Sequence, residues 1–213
     1  MKKFLIIGGN SDIGIKLHES LRKKNIKTIL TYNKKKPNYK DSFFLNLENF
    51  RSIDLFIKKL SKKYKVLDGI IIMASHQPKL MNFSKILKSD FDKHLKLNVY
   101  GMHKILSQLI KKFLNKENDP IIFSLLSKSM GDSKTYALKN FGAYTVGKYG
   151  LLGILKLIET EFRWIKIKTI YPSYTNTKML KIFDYRFIDL LKRKKKISEI
   201  DNVVKVILKK LKV

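Results

Sequence analysis

Short apolar runs alternate along this chain with longer stretches in which apolar residues recur every three or four positions. The short runs are rich in β-branched and aromatic residues, a pattern typical of strands, whereas the recurring pattern is typical of helices that bury one face. We therefore predict strands at residues 2–7, 28–32, 42–45, 67–73, 121–126 and 165–171. We predict helices at residues 12–24, 49–64, 89–114, 142–162, 178–191 and 198–211.

The alternation of strands and helices predicts an α/β fold with a doubly wound parallel sheet of the Rossmann type, six or seven strands wide, with helices on both faces. The stretch 67–73 is almost continuously apolar, as expected of a strand that is buried on both faces. No segment has the composition of a linker, and we expect residues 1–213 to form a single domain. Ligands in such folds bind beyond the carboxyl ends of the strands, so the loops after the strands are the first places to search for chemistry.

Composition narrows the choice of chemistry. The chain has no Cys, which excludes disulfides, thiol catalysis and zinc sites built from Cys, and its four His form no cluster, so we expect no metal site. The net charge is +29, but the lysines are spread along the whole chain and only five cations are Arg, the residue best suited to bidentate recognition of phosphates and bases. We attribute the charge to a general composition bias and expect no specific nucleic-acid partner.

The apolar runs are too short for a membrane protein. None reaches the ~20 residues that a membrane-spanning helix needs. The first run, at residues 4–7, is also shorter than the ~7–15 apolar residues of a secretory signal. We expect a soluble, cytoplasmic protein with no membrane partner.

The loop after the first predicted strand has the features of a phosphate-binding turn. It reads Gly8-Gly9-Asn10-Ser11-Asp12-Ile13-Gly14 and leads into a predicted helix. Gly8 permits a tight turn, Gly14 permits close packing of the helix, and the helix N-terminus offers free N–H groups to a pyrophosphate. The alternative is that Asp12 merely caps the helix and the glycines merely form a turn.

A second candidate lies in the helix predicted at residues 142–162. Tyr144 and Lys148 are one helical turn apart, so an ammonium group would lie beside a phenol and lower its pKa. Such a Tyr can exchange a proton with a carbonyl oxygen while hydride moves at the carbon. The same spacing occurs four times in this Lys-rich chain, and only Tyr144 opens a long helix after the fifth strand.

Together these features resemble the short-chain dehydrogenase/reductase family over nearly the whole chain. Five family motifs have counterparts here, in the family's order. The glycine turn runs from Gly8 to Gly14, with Asp12 in place of its middle glycine, and the family's Asn corresponds to the Asn of Leu97-Asn98-Val99-Tyr100-Gly101. A Ser ends the fifth strand, the pair Tyr144 and Lys148 follows, and Pro172-Ser173-Tyr174-Thr175-Asn176-Thr177 stands where the family has Pro-Gly-x-x-x-Thr. The resemblance implies an NAD(P)-dependent oxidoreductase that acts on a small carbonyl or alcohol substrate.

The resemblance also implies roles for individual residues. Tyr144 is the general acid or base, Lys148 lowers the Tyr144 pKa and holds the nicotinamide ribose, and Asn98 holds a water in a proton relay. Ser127 hydrogen-bonds the substrate oxygen, with Ser129 and Ser124 as alternatives. Cofactor contacts are expected from Gly8, Asn10, Ser11, Asp12, Ile13, Gly14, Asn33, Lys34, Asn46, Leu47, Ala74, Ser75, Tyr144, Lys148, Pro172 and Thr175.

Several segments differ from the family pattern. The fourth strand ends Ile72-Met73-Ala74-Ser75 where the family has Asn-Asn-Ala-Gly, Asn46 stands where an Asp usually contacts the adenine, and no seventh strand is evident. These differences motivate an alternative function, that of a catalytically degenerate, nucleotide-binding family member with a regulatory or scaffold role. A third hypothesis is a polyanion-binding protein that uses the +29 charge.

The second strand favours NADP(H) over NAD(H). An NAD-binding site usually has an Asp or Glu at the end of this strand to hold the ribose 2′-hydroxyl, and that carboxylate would repel a 2′-phosphate. No acid occurs between Thr28 and Lys40. Asn33 and Lys34 could instead hydrogen-bond and neutralise the phosphate.

Three further features have two interpretations each. Gly147, Gly150 and Gly153 recur every third residue, so the helix packs closely either against a second subunit in a homodimer or larger oligomer, or within the monomer. His76 lies either in a solvated loop or facing the cofactor. Trp164 and the aromatic stretch 183–187 either cover the substrate or belong to the core.

Overall fold

A six-stranded parallel sheet forms the centre of the computed structural model, which describes residues 1–132 and 134–213. The strands are β1 (Lys3–Ile7), β2 (Lys27–Tyr32), β3 (Ser42–Phe44), β4 (Gly69–Ile72), β5 (Ile121–Leu125) and β6 (Lys166–Ile170). Their order across the sheet is β3-β2-β1-β4-β5-β6, and every neighbouring pair is parallel. The predicted Rossmann-type fold is confirmed, with six strands in the described residues.

Helices pack on both faces of the sheet. They are α1 (Asp12–Arg22), α2 (Phe50–Lys63), α3 (Lys88–Leu95), α4 (Met102–Phe113), α5 (Gly142–Glu161), α6 (Tyr185–Arg193) and α7 (Ile200–Leu211). Side chains alternate along each strand, so Leu5 and Ile7 of β1 join the core under α2, α4 and α5, whereas Phe4 and Ile6 join the core under α1 and α7. Each fully buried aliphatic side chain contributes about 1.5–3 kcal/mol, and strands buried on both faces therefore hold the loops at their ends firmly.

The helix predicted at residues 89–114 differs from a regular α-helix in its middle. A π-helical segment, Lys96–Gly101, joins α3 to α4 without a break in the chain direction. Such wide turns are rare and occur often at functional sites. The segment carries Asn98 and turns its side chain into the protein, where it is fully buried.

The helix predicted at residues 178–191 is two helices. A short 3₁₀ helix, Lys178–Ile182, is followed by α6. The break comes at Asp184, whose carboxylate accepts a hydrogen bond from the backbone N–H of Arg186 at 2.8 Å and so caps α6. The first helix lies over the carboxyl edge of the sheet, where it borders the cleft described below.

The strand order reverses between β1 and β4. The chain runs outward from β1 to β2 and β3, then returns to place β4 on the other side of β1. This reversal opens a crevice at the carboxyl ends of β1 and β4, the usual ligand position in such sheets. Among the described residues, no helix is long and apolar enough to cross a membrane.

Candidate active site

The turn after β1 occupies this crevice. Gly8 has a backbone φ of 80°, and a Cβ atom there would lie 2.5 Å from the backbone nitrogen of Ala74, so only glycine fits. Gly14 packs equally closely, because its Cβ would lie 2.5 Å from the carbonyl oxygen of Gly9. Both predicted reasons for a glycine, a tight turn and close packing of α1, are therefore present.

Ser11, and not Asp12, caps helix α1. The Ser11 hydroxyl accepts a hydrogen bond from the backbone N–H of Gly14 at 3.1 Å. Asp12 is the first helical residue, and its carboxylate accepts a hydrogen bond from the backbone N–H of Lys178 at 2.9 Å. The Lys178 ammonium lies 3.4 Å from the other carboxylate oxygen. The capping alternative for Asp12 is wrong, and the residue instead ties the turn to the 3₁₀ helix after β6.

A cleft of about 300 Å³ runs along the carboxyl edge of the sheet from this turn. Of the residues predicted to bind cofactor or substrate, it is lined by Asn10, Ser11, Asp12, Ile13, Ser75, Ser127, Tyr144, Lys148, Pro172 and Thr175. These residues come from the loops after β1, β4, β5 and β6 and from the start of α5. The fold thus brings together most of the set selected from sequence.

Tyr144 lies in the wall of the cleft and is only 7% exposed. Burial raises the pKa of its phenol above the usual value, and the neighbouring hydroxyls of Ser127 and Ser75 offset part of that increase by hydrogen bonding. The phenol is therefore protonated at neutral pH. Ser75, predicted only as a cofactor contact, is thus also a neighbour of Tyr144. This proximity could not be predicted, because the two residues are 69 positions apart in the sequence.

Lys148 is the most deeply buried lysine of the site, at 2% exposed. Its ammonium donates a hydrogen bond to the backbone carbonyl of Leu125 at 3.1 Å and lies 5.8 Å from the centre of the Tyr144 ring. Burial lowers the pKa of Lys148 to about 8, since no carboxylate accompanies the charge. Tyr144 and Lys148, the pair predicted from sequence, therefore both face the cleft.

The structure distinguishes the three candidate serines. Ser127 follows β5, lines the cleft and is the one whose hydroxyl neighbours the Tyr144 phenol. Ser129 also borders the cleft but is only 2% exposed, and its hydroxyl accepts hydrogen bonds from the Ser127 hydroxyl at 2.9 Å and from the Thr145 hydroxyl at 3.3 Å. Ser124 is fully buried within β5 and does not line the cleft. Ser127 is thus the candidate that the geometry favours.

Asn98 lies behind the cleft rather than in its wall. Its side-chain amide donates a hydrogen bond to the carbonyl of His94 at 3.1 Å, and its Oδ1 atom is buried without a protein partner. A buried carbonyl oxygen of this kind usually binds an ordered water. That environment is compatible with the water-holding role implied by the family resemblance.

Four further predicted cofactor contacts lie in the loops after β2 and β3. Asn33 and Lys34 are exposed after β2, next to Lys35, whose carbonyl accepts a hydrogen bond from Asn10 at 2.7 Å. After β3, the side-chain Oδ1 of Asn46 accepts a hydrogen bond from the Glu48 N–H at 3.0 Å. Leu47 is different, because its side chain is buried in the core and leaves only its backbone for contact with a ligand.

Aromatic side chains line part of the cleft. Phe183 packs on Phe141 at 6.0 Å and on Tyr174 at 5.5 Å between ring centres, and all three line the cleft. Of the stretch 183–187, Phe183 therefore borders the cleft, while Phe187 packs against Tyr174 and Phe183. Trp164 does not border the cleft: it precedes β6, at the amino end of the strands, and packs against Phe162 and the core.

Comparison with known proteins identifies this arrangement. The family profile described as short chain dehydrogenase matches residues 2–184. The chain belongs to the short-chain dehydrogenase family. It is accordingly related to oxidoreductases that use nicotinamide cofactors, and the match covers the glycine turn, Asn98, Ser127, Tyr144 and Lys148.

Solved structures share the fold of this short-chain dehydrogenase at low sequence identity. A short chain dehydrogenase family protein from Francisella tularensis has a TM-score of 0.81 at 19% identity, covering 98% of this chain and 90% of its own. A 3-ketoacyl-(acyl-carrier-protein) reductase from Brucella melitensis, solved with NADH, has a TM-score of 0.80 at 19% identity, covering 96% and 88%. The ligand-free aldohexose dehydrogenase from Thermoplasma acidophilum has a TM-score of 0.80 at 16% identity, covering 97% and 85%. The search of curated sequences gives no significant match.

The glycines of α5 pack mainly within the short-chain dehydrogenase monomer. A Cβ atom on Gly147 would lie 3.0 Å from the Asn98 amide nitrogen, and one on Gly150 would lie 2.5 Å from the Val99 side chain. Only Gly153 of the three has nothing within 4 Å of that position. Of the two interpretations of this glycine series, packing within the monomer holds for Gly147 and Gly150, which lie against Asn98 and Val99 of the π-helical segment.

The buried charge of Lys148 should destabilise this short-chain dehydrogenase at neutral pH. Its pKa is about 8 in the folded protein against 10.5 for an ordinary lysine, a difference equivalent to about 3 kcal/mol. Lys148→Met removes the charge and the hydrogen bond to Leu125, and we expect it to raise the free energy of unfolding by about 2 kcal/mol. Urea titration at neutral pH measures this difference.

The sign of the pH dependence follows from the lowered pKa. Between about pH 8 and pH 10.5 the unfolded chain binds more protons at this position than the folded chain, so wild-type stability rises with pH. The advantage of Lys148→Met should therefore shrink across that interval. The exposed lysine Lys156 provides a control, because Lys156→Met should change stability by less than about 0.5 kcal/mol. A Lys148→Met protein no more stable than wild type would contradict the buried charge.

Proposed function

We propose that the protein is an NAD(P)(H)-dependent oxidoreductase that transfers hydride between a nicotinamide and a carbonyl or alcohol substrate, with Tyr144 as the general acid or base. One observation carries the proposal. The Tyr144 phenol, the Ser127 hydroxyl and the Lys148 ammonium converge in the same cleft as the glycine turn. Membership of the short-chain dehydrogenase family supports a catalytic role for these three residues, which the spacing of Tyr and Lys alone does not support.

The residues around the turn fit a dinucleotide. Gly8 lets the turn pack directly on the backbone of Ala74, and the N-terminus of α1 offers free N–H groups and the positive end of the helix dipole to a pyrophosphate. Asn10, Ser11 and Ile13 border this position, while Lys148 and Pro172 border the far half of the cleft. The bound cofactor would supply the hydride, and the protein supplies binding, orientation and proton transfer.

In carbonyl reduction the Tyr144 phenol donates its proton to the substrate oxygen. Burial keeps the phenol protonated, which is the form that a proton donor requires. The Ser127 hydroxyl hydrogen-bonds the same oxygen as negative charge develops on it. The Lys148 ammonium stabilises the phenolate that remains after the transfer. Alcohol oxidation uses the same groups in reverse.

The far end of the cleft favours a substrate with an apolar portion. Leu138, Phe141, Tyr174, Leu180 and Phe183 line this end. The cations Lys128 and Lys178 also line the cleft, but Lys178 is engaged by the Asp12 carboxylate. We therefore propose that the carbonyl points towards Tyr144 and that an aliphatic or aromatic part of the substrate contacts these side chains.

The alternative of a catalytically degenerate nucleotide-binding protein draws support from one segment. Met73 and Ser75 line the cleft where the family has polar Asn and Gly, so contacts to the cofactor differ there. The Ser75 hydroxyl nevertheless lies close enough to Tyr144 to offset part of the increase in the pKa of its phenol. The convergence of Tyr144, Ser127 and Lys148 favours the enzyme.

Tyr144→Phe should abolish turnover and leave cofactor binding almost intact, because it removes the proton donor but keeps the ring. We expect a loss of at least about 100-fold in kcat with a carbonyl substrate identified from a panel. Retention of more than a tenth of the wild-type rate, equivalent to ~1.4 kcal/mol of barrier, would reject the assignment.

Tyr174→Phe is the matched control for this prediction. Tyr174 also lines the cleft and also precedes a lysine by four positions, but its neighbours are Phe183 and Phe187. The substitution should alter KM at most and leave kcat within about threefold of wild type. Tyr32→Phe and Tyr100→Phe should likewise leave the chemical step unchanged.

We also propose that the enzyme prefers NADP(H) to NAD(H). Asn33 and Lys34 are exposed beside the glycine turn, and Asn10 bridges the turn to the carbonyl of Lys35. No acidic residue lies in this loop to hold a ribose 2′-hydroxyl. A 2′-phosphate would instead meet a surface of lysines.

Lys34→Ala should weaken NADPH binding and leave NADH binding unchanged, because the ammonium contacts only the extra phosphate. Fluorescence titration of the reduced cofactors gives both dissociation constants. We expect about a tenfold loss for NADPH, in the range of one charge-assisted hydrogen bond. Lys58→Ala, on the exposed side of α2, is the control for the change in net charge. Equal affinities of the wild type for the two cofactors would refute the preference.

We propose a homodimer or larger oligomer in which α5 lies at the subunit interface. Val146, Tyr149, Gly153 and Leu157 share one side of this helix, and the three large side chains are 42%, 49% and 62% exposed. An apolar stripe of this kind on a helix otherwise packed into the fold suggests contact with a second copy. Light scattering at micromolar concentration should show at least a dimer, and Leu157→Lys should dissociate it. A monomeric wild type would contradict the proposal.

A further inference from the structure

The segment that follows β6 runs back along the carboxyl edge of the sheet. In the described sheet β6 is an edge strand, and β5 and β4 separate it from β1. Lys178 nevertheless contacts Asp12 in the turn after β1, so the chain between Pro172 and Lys178 passes the ends of both intervening strands. Three strand spacings amount to ~14 Å and a chain of this length reaches ~20 Å, so its course has little slack. We call residues 172–182 the strap.

Backbone hydrogen bonds hold the root of the strap. The Lys128 N–H, in the loop after β5, donates to the Pro172 carbonyl at 3.0 Å. Ser198, just before α7, donates its N–H to the Tyr174 carbonyl at 2.8 Å and accepts a hydrogen bond from the Asn176 N–H at 2.9 Å. These bonds need no ligand, so the root stays in place whether or not the cleft is filled.

The far end of the strap depends on one carboxylate. Asp12 accepts the backbone N–H of Lys178 at 2.9 Å, and its other oxygen lies 3.4 Å from the Lys178 ammonium. The Gln77 amide, from the loop after β4, adds a longer hydrogen bond of 3.4 Å to the Lys178 carbonyl. The Lys178 side chain is 81% exposed, so water screens the ion pair, and the charge-assisted bond to the backbone N–H supplies most of the hold.

This contact joins the two sides between which a dinucleotide would lie. Thr177, Met179 and Leu180 of the strap line the same cleft as Ser11 and Ile13 of the glycine turn. The carboxylate belongs to the turn and the N–H group to the strap, so their hydrogen bond closes the passage between them. A glycine, which the family has at position 12, has no side chain and could make neither contact.

We propose that Asp12 and Lys178 form a latch that holds the strap closed in the protein without cofactor, and that this latch opens each time the cofactor enters or leaves. The proposal rests on the proposed function, since it assigns Asp12 as a positioning residue for cofactor exchange. The contact exists without cofactor and needs none, so it stabilises the closed strap before and after binding alike. Breaking it therefore changes the association and dissociation rates by the same factor and leaves the affinity nearly constant.

Amide hydrogen exchange in the protein without cofactor tests the latch itself. In Asp12→Ala the amides of residues 178–182 should exchange about tenfold faster, because the strap loses its charge-assisted bond. Asp12→Asn keeps a hydrogen-bond acceptor and should have an intermediate effect. Lys178→Met loses only the screened ammonium, so its exchange should stay within about twofold of wild type.

Asp54→Ala is the matched control for the lost carboxylate. Asp54, on α2, also pairs with a lysine, Lys104 at 3.2 Å, and also accepts a hydrogen bond, from Gln108 at 2.7 Å, but it does not line the cleft. Its removal should leave exchange in the strap unchanged. Urea titration shows whether each variant is folded, and Asp12→Asn, which preserves the shape of the side chain, carries the test if Asp12→Ala unfolds.

Stopped-flow fluorescence with NADPH and with NADH measures the consequence for binding. Asp12→Ala should raise the association and dissociation rates about tenfold each and leave Kd within about twofold of wild type. A direct contact between Asp12 and the cofactor would instead raise dissociation alone and weaken binding. Repulsion of the cofactor by the carboxylate would make Asp12→Ala bind more tightly. Either result, or unchanged rates, would overturn the latch.

The two measurements separate the latch from the proposed function. Wild-type exchange of the 178–182 amides in both Asp12→Ala and Asp12→Asn would reject the latch even in an active enzyme. Faster exchange in a protein whose wild type binds neither NADPH nor NADH would instead reject the proposed function and leave the latch between turn and strap standing.

Discussion

An ammonium group held almost out of contact with water sets the conditions for the rest of this site. Lys148 is 2% exposed, and the Leu125 carbonyl is its one hydrogen-bond partner within residues 1–132 and 134–213, so its burial disfavours the charged form and lowers its pKa to about 8. A charge of this kind persists only where the surrounding fold is rigid enough to prevent water from reaching it. The continuously apolar strands β4 and β5 and the helices packed on them provide that rigidity.

The sheet places chemistry at one edge because all of its strands are parallel. The loops after β1, β4, β5 and β6 must meet at their carboxyl ends. They contribute, in that order, backbone N–H groups, Ser75, Ser127 and the 3₁₀ helix Lys178–Ile182 that borders the cleft. Asp12 links the first of these loops to the last through Lys178. An ion pair and a hydrogen bond therefore connect two loops of the cleft that are far apart in the sequence.

The sequence predicted those features that depend on local periodicity. All six strands and most helix limits follow from the spacing of apolar residues, and the glycine turn follows from the backbone needs of Gly8 and Gly14. The features it could not predict depend on tertiary contacts. The π-helical segment exists because the backbone between α3 and α4 widens beside the glycines of α5, and nothing in Lys96–Gly101 indicates this.

The candidate site residues also divide into those that local sequence predicts and those that only tertiary contacts reveal. Position after a strand sufficed to place Ser127 and Tyr144 in one cleft, because strand ends converge in any parallel sheet. It could not reveal that Asp12 pairs with Lys178 or that His94 faces inward. His94 has charged neighbours on both sides in sequence, Lys93 and Lys96, and its burial follows only from the packing of α3 against α5.

Because the chain is rich in Lys, the spacing of Tyr and Lys cannot by itself identify the catalytic pair, and the structure is needed to distinguish the four candidates. The other three pairs with the same spacing end in Lys36, Lys104 and Lys178, which are solvent-exposed or partly exposed, and water screens each of these charges. Lys148 differs in its environment and not in its spacing. Desolvation lowers the pKa of Lys148 to about 8, and its ammonium lies beside a phenol that is itself shielded from water. In a chain of net charge +29, burial rather than the presence of a lysine therefore decides which cation can take part in catalysis.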